Sequence, residues 1–143
     1  MDKSMDKRFW ICGGVMFLAA MLLSGIVHAV LLKPDYLALG PMYRGDADGQ
    51  GYLPWMLLAH ALIGFAMTWI YRQGFSAGKT NISQGLRFGL AMALFSTIPG
   101  YLIYYAVQPL PVALVIKQIV FGTMSMLLLG VLLAYLQPRR VVL

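Results

Sequence analysis

Four long apolar stretches dominate the chain, and short polar segments separate them. They cover residues 9–32, 53–71, 88–107 and 110–136. Each is close to or above the ~20 residues that a helix needs to cross ~30 Å of hydrocarbon. The pattern predicts an all-α integral membrane protein. We expect a single domain over residues 1–143, a bundle of four transmembrane helices with an outer loop at 33–52 and a cytoplasmic loop at 72–87.

Composition agrees with this class, since 60% of the residues are hydrophobic and 11% are charged. Soluble domains average roughly 45–50% apolar and 25% charged residues. The first stretch follows a basic segment, as in a signal peptide, but it is longer than the ~7–15 residues of a signal peptide's apolar core. We therefore expect it to be a retained first helix.

Basic residues are distributed unevenly, and this predicts an orientation. The first loop contains Lys33 and Arg44 together with three aspartates. The other basic residues near the ends of the stretches are Lys3, Lys7, Arg8, Arg72, Lys79, Arg87, Arg139 and Arg140. The positive-inside rule then places both termini in the cytoplasm and the first loop outside. Anionic lipid headgroups account for the net charge of +6, so no nucleic-acid partner is expected.

Two stretches begin alike, which favours two repeated helical hairpins. "LPWMLLAHALIGFAM" from Leu53 and "LPVALVIKQIVFGTM" from Leu110 share their first two residues and their last, and this register aligns His60 with Lys117. Chance similarity between apolar helices is the alternative.

The outer loop is rich in aromatic residues, which suit the level of the lipid headgroups. We expect an interface loop, with a short amphipathic segment over 36–43 lying on the membrane. Its candidate interface residues are Tyr36, Tyr43, Arg44, Tyr52 and Trp55.

Polar residues inside the stretches are the candidate functional residues: His28, His60, Lys117 and Gln118. At ~1.5 Å per residue, His60 and Lys117 each lie roughly 9 Å past a helix-starting proline, and His28 lies about one turn from the end of its helix. All three are therefore expected in the outer leaflet. Small residues at four-residue spacing, Ala20, Ser24 and His28 on one helix and His60, Gly64 and Thr68 on the next, predict that both histidines face inward.

Lys117 has three open interpretations. Its long side chain can reach outward to the headgroups, inward to the histidines, or sideways to another protein. The sequence does not choose among them.

Several function classes are excluded or disfavoured. Cys12 is alone, so dithiol chemistry is excluded, and no metal-ligand cluster is evident. Small four-helix multidrug antiporters depend on a membrane glutamate, and this chain has none. The spans also lack the acid–base pairs that catalysis usually needs, which favours a role without catalysis.

Two chemical alternatives remain. No cofactor is expected for a role without catalysis. As the alternative, His28 and His60, on adjacent helices at one depth, match the axial pair of a b-type haem in an electron carrier. A small-solute or ion transporter is the further alternative.

The segments "HAVLLKPDYLALGPMYR" and "YLPWMLLAHALIGFAMTWIYRQG" resemble small bacterial inner-membrane proteins in families of unknown function. This resemblance implies a bacterial inner-membrane setting and brings no catalytic residues. The sequence thus predicts a non-catalytic accessory or stabilising subunit of a larger membrane complex, with lipid and other membrane subunits as partners. A homo-oligomer is compatible with the same pattern.

Overall fold

A computed structural model of the chain describes residues 7–44, 46–74 and 80–137, and within these ranges it contains helices and no strands. Four helices are long and apolar enough to cross a membrane, which confirms the predicted fold at this level. They are α1 (Lys7–Leu31), α2 (Leu53–Gln73), α3 (Asn81–Val107) and α4 (Val112–Leu136). Lys3, Lys79, Arg139 and Arg140, on which the predicted orientation partly depends, lie outside the described residues.

The helices pack as two antiparallel pairs, α1 with α2 and α3 with α4, and α1 also contacts α4. Arg8 Nη2 donates a hydrogen bond to the carbonyl oxygen of Leu136 at 3.0 Å, which joins the start of α1 to the end of α4. We call this end of the bundle the basal end, and the opposite end, where α1 stops and α4 begins, the distal end.

Glycines bring the paired helices into backbone contact in the basal half. A Cβ atom on Gly64 of α2 would lie 2.5 Å from the Phe17 nitrogen of α1. A Cβ atom on Gly85 of α3 would lie 2.5 Å from the Val131 Cα atom of α4. Such close approach is possible only without a side chain, as is common between membrane helices.

The main core also lies in the basal half. Its buried members come from α1, α2 and α4: Met16, Ala20, Met67, Tyr71, Leu129, Leu133 and Ala134. Thr68 is fully buried beside this core, and its hydroxyl donates to the Gly64 carbonyl oxygen at 2.8 Å. Of the residues whose four-residue spacing predicts an inward face, Ala20, Gly64 and Thr68 are buried. The other three, Ser24, His28 and His60, are only partly buried.

Helix α3 begins at Asn81, seven residues before the predicted start at Phe88, so the predicted loop at 72–87 is shorter than expected. Thr80 caps the helix, because its side-chain oxygen accepts a hydrogen bond from the Ser83 amide at 3.2 Å. The buried Gly85 then packs this first turn on α4. Hydropathy alone misses a polar first turn that is held by a cap and a glycine contact.

Two π-helical segments interrupt the long helices in the distal half. One is Gly25–Leu31, which ends α1, and the other is Ala93–Thr97 within α3. The second directly precedes the Pro99 turn, where we expect a kink, because proline has no amide hydrogen for the carbonyl four residues earlier. A wider turn accommodates that loss, and π segments often mark functional regions.

The outer loop is largely helical. It contains the loop helix (Lys33–Ala38), a 3₁₀ turn (Gly40–Met42) and a short helix (Asp46–Gln50). A second, smaller core of Val27, Leu32 and Leu114 lies at the distal end, and Tyr36 and Leu39 pack against it. The loop helix is therefore attached to the bundle.

Candidate functional site at the distal end

Lys117 forms an ion pair with Asp35 of the loop helix. Its Nζ atom lies 2.8 Å from Asp35 Oδ1 and 2.9 Å from Oδ2, so one ammonium group donates to both oxygens. The Lys117 side chain is 48% exposed and that of Asp35 is 25% exposed. The sequence left three directions open for the Lys117 side chain: headgroups, histidines or another protein. The structure shows a fourth, an acidic partner in the first loop of the same chain.

Gln118, the next residue of α4, binds Tyr36, the next residue of the loop helix. Its Nε2 atom donates to the Tyr36 hydroxyl oxygen at 3.2 Å, and the Gln118 side chain is buried. Two consecutive residues of α4 thus bind two consecutive residues of the loop helix. We call these four residues, Asp35, Tyr36, Lys117 and Gln118, the latch.

His28 extends the latch to α1 and α3. Its Nδ1 atom lies 2.6 Å from the Tyr36 hydroxyl, and its Nε2 atom lies 3.4 Å from the Tyr101 hydroxyl. The His28 and Tyr36 rings are also nearly parallel, with centroids 5.9 Å apart. One hydrogen-bonded chain therefore links Gln118, Tyr36, His28 and Tyr101, and so joins α4, the loop helix, α1 and α3.

Apolar packing explains why the loop helix lies where the latch needs it. Leu32 is fully buried, and its amide donates to the Val27 carbonyl oxygen at 2.9 Å, which ends α1 and turns the chain. Pro34 then begins the loop helix, where a missing amide hydrogen is tolerated. Anchored at Leu32, the helix directs Asp35 and Tyr36 toward α4.

His60 does not belong to this hydrogen-bonded chain. Its Nδ1 atom lies 2.7 Å from the Met56 carbonyl oxygen of its own helix. The structure thus places both histidines in the distal half, but only His28 contacts the latch.

The histidines in this arrangement do not fit a b-type haem. Axial ligation needs an imidazole nitrogen that is free to face the iron. Both nitrogens of His28 face tyrosine hydroxyls, at 2.6 and 3.4 Å. Haem propionates need cations near them, and the two distal cations Lys117 and Arg44 are already paired, with Asp35 and Asp48.

The remaining interface candidates divide into inward and outward groups. Tyr43 packs on Tyr36, with ring centroids 4.6 Å apart. Arg44 binds Asp48 at 2.9 Å and lies 3.6 Å above the Tyr52 ring. Trp55 is 68% exposed, as an interface residue should be.

Tyr36 differs from the predicted interface role, because it faces the bundle. Burial raises the pKa of the Tyr36 phenol above its usual value, which keeps the hydroxyl neutral and able both to donate and to accept. Its pairing with Gln118 has a physical cause, since a buried amide needs a hydrogen-bond partner.

Sequence reasoning missed Asp35 and Tyr101 as parts of the site. In the sequence, Asp35 is one of three aspartates in the first loop. Tyr101 lies close to Tyr104 and Tyr105, a cluster typical of an interfacial belt. A usable signal was present for Asp35, because a lysine within a span calls for an acid at the same depth. Tyr101 could not be found this way, since its position depends on the π segment before Pro99.

The described residues, 7–44, 46–74 and 80–137, contain no group of three histidine, cysteine or acidic side chains that could hold a metal ion. The arrangement is suited instead to holding helices together through hydrogen bonds and one ion pair. Comparison with protein-family models, curated proteins and solved structures gives no match.

Proposed function

We propose that this chain is a four-span protein of the bacterial inner membrane, with both termini in the cytoplasm, and that it serves as a non-catalytic accessory or stabilising subunit of a larger membrane complex. The observation that favours this role most is the latch. The polar residues at the distal end bind one another, which suits a structural role better than transport or catalysis.

Pairing within the chain uses up the groups that other functions would require. Lys117 is bound to Asp35 through both carboxylate oxygens. His28 is held between two tyrosines. A transport pathway or a catalytic centre needs such groups to face a substrate, whereas a scaffold needs them satisfied.

The outward face of α3 is the surface that a partner would cover. Only 6% of the most apolar 18 residues of α3 are buried within the chain, against 22% for the corresponding residues of α4. The segment Ile98–Val107 has no buried residue at all. Phe95, on the same helix, is 80% exposed. Either lipid or another subunit covers this surface, and the proposed function requires that a subunit covers part of it.

Photocrosslinking in native membranes tests this role. A benzophenone amino acid replaces Phe95 on α3, and in a matched variant it replaces Leu18 on α1, which is 64% exposed. We expect one discrete protein adduct from position 95 and only lipid adducts from position 18.

A second readout is the size of the particle extracted in mild detergent. We expect the adduct partner to co-migrate with the unmodified chain. Lipid adducts alone at both positions, together with migration as an isolated monomer or homo-oligomer, would contradict the proposed function.

The proposed orientation has its own test. In a Cys12→Ser background, single cysteines replace Asp48 in the outer loop and Ser83 at the basal end of α3. A membrane-impermeant maleimide added to intact spheroplasts should label position 48 and leave position 83 unlabelled. The reverse pattern would invert the orientation without affecting the latch.

A b-type haem carrier is the alternative that one contact favours. The His60 Nδ1 atom bonds to a backbone carbonyl, an arrangement that leaves Nε2 for a ligand. His28 offers no such nitrogen, so we expect no reducible Soret band from the purified protein. A Soret band that disappears in both His28→Ala and His60→Ala would replace the subunit proposal.

A further inference from the structure

The hydrogen-bonded chain has a defined direction. Gln118 Nε2 donates to the Tyr36 oxygen at 3.2 Å, so the single hydroxyl hydrogen of Tyr36 is available for another acceptor. That acceptor is His28 Nδ1 at 2.6 Å. His28 is then neutral, with its hydrogen on Nε2 and facing the Tyr101 hydroxyl. Every hydrogen between Gln118 and Tyr101 is accounted for in this arrangement.

One acceptor beside this chain is unused. The Gln118 Oε1 atom is buried and has no hydrogen-bond partner among the described residues. It is sealed from bulk solvent, and a buried polar atom without a partner is costly. The Gln118 side chain thus has a donor, Nε2, that is bound to Tyr36. Its acceptor, Oε1, would be satisfied by a hydrogen from a neighbouring group.

We propose that His28 is a reversible proton-binding site, and that uptake of a proton reverses the direction of this chain. A proton from water adds to Nδ1, and the new N–H donates to the Tyr36 oxygen. The Tyr36 hydroxyl hydrogen then turns to Gln118, whose amide rotates to present Oε1. One N–H bond forms, one hydronium ion becomes water, and no other covalent bond changes.

The groups around His28 permit a single added charge. Tyr36 faces it from the outer loop, with Tyr43 packed on the Tyr36 ring, and Tyr101 faces it from α3. His60 on α2 would repel the proton if it were itself charged. On α4, the charge of Lys117 is balanced by Asp35. Among the residues that the structure describes, no carboxylate is hydrogen-bonded to the ring, so Tyr36 and Gln118 are the groups that respond to the added proton.

Reversal of the chain would connect proton binding to the attachment of the loop helix. Tyr36 and Gln118 belong both to the latch and to the hydrogen-bonded chain. A proton on His28 therefore changes the bond between the loop helix and α4 without touching the Lys117–Asp35 pair. This inference does not depend on a partner subunit.

Nitrogen-15 NMR of the full chain in lipid nanodiscs tests the proposal. The chain contains two histidines, so His60→Asn leaves one imidazole signal pair. Above the titration midpoint we expect one protonated nitrogen, Nε2, and one hydrogen-bonded, unprotonated nitrogen, Nδ1. Both should be protonated at lower pH, in one step between pH 4 and 9. The opposite tautomer, or no titration in this range, would overturn the proposal.

Gln118→Met tests the role of the amide, because methionine keeps the volume and removes both Nε2 and Oε1. The neutral state loses the bond from Nε2 to Tyr36, and the protonated state loses the bond next to the added charge, which is the stronger of the two. The protonated state then lacks an acceptor for the Tyr36 hydrogen, and we expect the midpoint to fall by about one pH unit, a tenfold loss of proton affinity. Gln108→Met is the matched control, since Gln108 is exposed at the same end of the bundle, and it should leave the midpoint unchanged. An equal midpoint in Gln118→Met and the control would show that the amide does not respond to the proton.

Discussion

The basal and distal halves of the bundle are held together by different means. In the basal half, Gly64 and Gly85 let backbones touch, and a continuous apolar core fills the centre. In the distal half, no residue of the α3 segment Ile98–Val107 is buried, and every buried residue of α2 lies at or after Gly64. The loop helix and the latch provide polar contacts there, and the His28–Tyr101 contact joins α1 to α3.

This difference separates the basal contacts, which stabilise the fold, from the distal hydrogen bonds, which can exchange partners. Close glycine packing tolerates little displacement, because the contacting atoms are backbone atoms. Hydrogen bonds between side chains can exchange partners at small cost when the donors and acceptors remain matched. Function is therefore expected at the distal end, where the π segments and the polar residues also lie.

The largest effect is expected from Gly85→Ala in the basal half. The new Cβ atom would lie 2.5 Å from Val131 Cα, so α3 and α4 must move apart. Overpacking of this kind costs about 1–3 kcal/mol. The free energy of unfolding in detergent micelles, followed by circular dichroism, measures the loss.

Gly14→Ala is the matched control, because no atom of the described residues, apart from the neighbouring backbone of α1 itself, lies within 4 Å of a Cβ atom at that position. Alanine is favoured over glycine inside a helix by up to ~1 kcal/mol, so this variant should be unchanged or slightly more stable. Equal losses in both variants would remove the distinction between the close contacts and ordinary helical glycines.

A smaller effect is expected from the ion pair of the latch. A double-mutant cycle with Lys117→Met and Asp35→Asn should give a coupling free energy of about 1 kcal/mol, since the pair is only partly exposed and is bound through two oxygens. Unfolding in detergent with each single and double variant provides the four free energies.

The Arg44–Asp48 pair supplies the comparison. Its side chains are 54% and 59% exposed, and it connects neighbouring turns of the outer loop. We expect coupling of about 0.3–0.5 kcal/mol in the same cycle. A larger value for this exposed pair than for Lys117–Asp35 would mean that the latch contributes little to the distal half.

Much of the basal half follows from the sequence, and little of the latch does. Hydropathy predicts the four helices, and four-residue spacing predicts that Gly64 and Thr68 face inward, because both depend on local periodicity. Gly85 was overlooked, although Gly85 and Gly89 have the spacing typical of close helix contacts. Its polar surroundings made the first turn of α3 resemble a loop.

The partners of Lys117 and Gln118 depend on contacts between residues 82 positions apart. Local periodicity contains no information about such a distance. The repeat register aligned Lys117 with His60, whereas the folded chain pairs it with Asp35. What decides the pairing is the turn at Leu32, where a single buried side chain fixes the direction of the loop helix.

The smallest effect is expected at alkaline pH. Burial raises the pKa of Tyr36 above its value in the unfolded chain, so the folded state favours the neutral phenol. The resulting stability is fully present below the unfolded pKa of about 10 and is lost as the pH rises through the folded value. We expect the unfolding free energy of the wild type to fall more between pH 9.5 and 11 than that of Tyr36→Phe. Parallel curves would indicate that Tyr36 is exposed.

Hydrogen–deuterium exchange in nanodiscs provides the most direct test of the latch. The double variant Lys117→Met/Gln118→Leu removes both α4 contacts of the latch and keeps α4 apolar. We predict that backbone amides of the loop helix, residues 33–38, exchange about tenfold faster than in the wild type, a change of about 1.4 kcal/mol in opening free energy, while amides around Met67 and Leu133 keep their rates. Unchanged exchange in 33–38, or equal acceleration at both ends of the bundle, would contradict the claim that the latch holds the distal half.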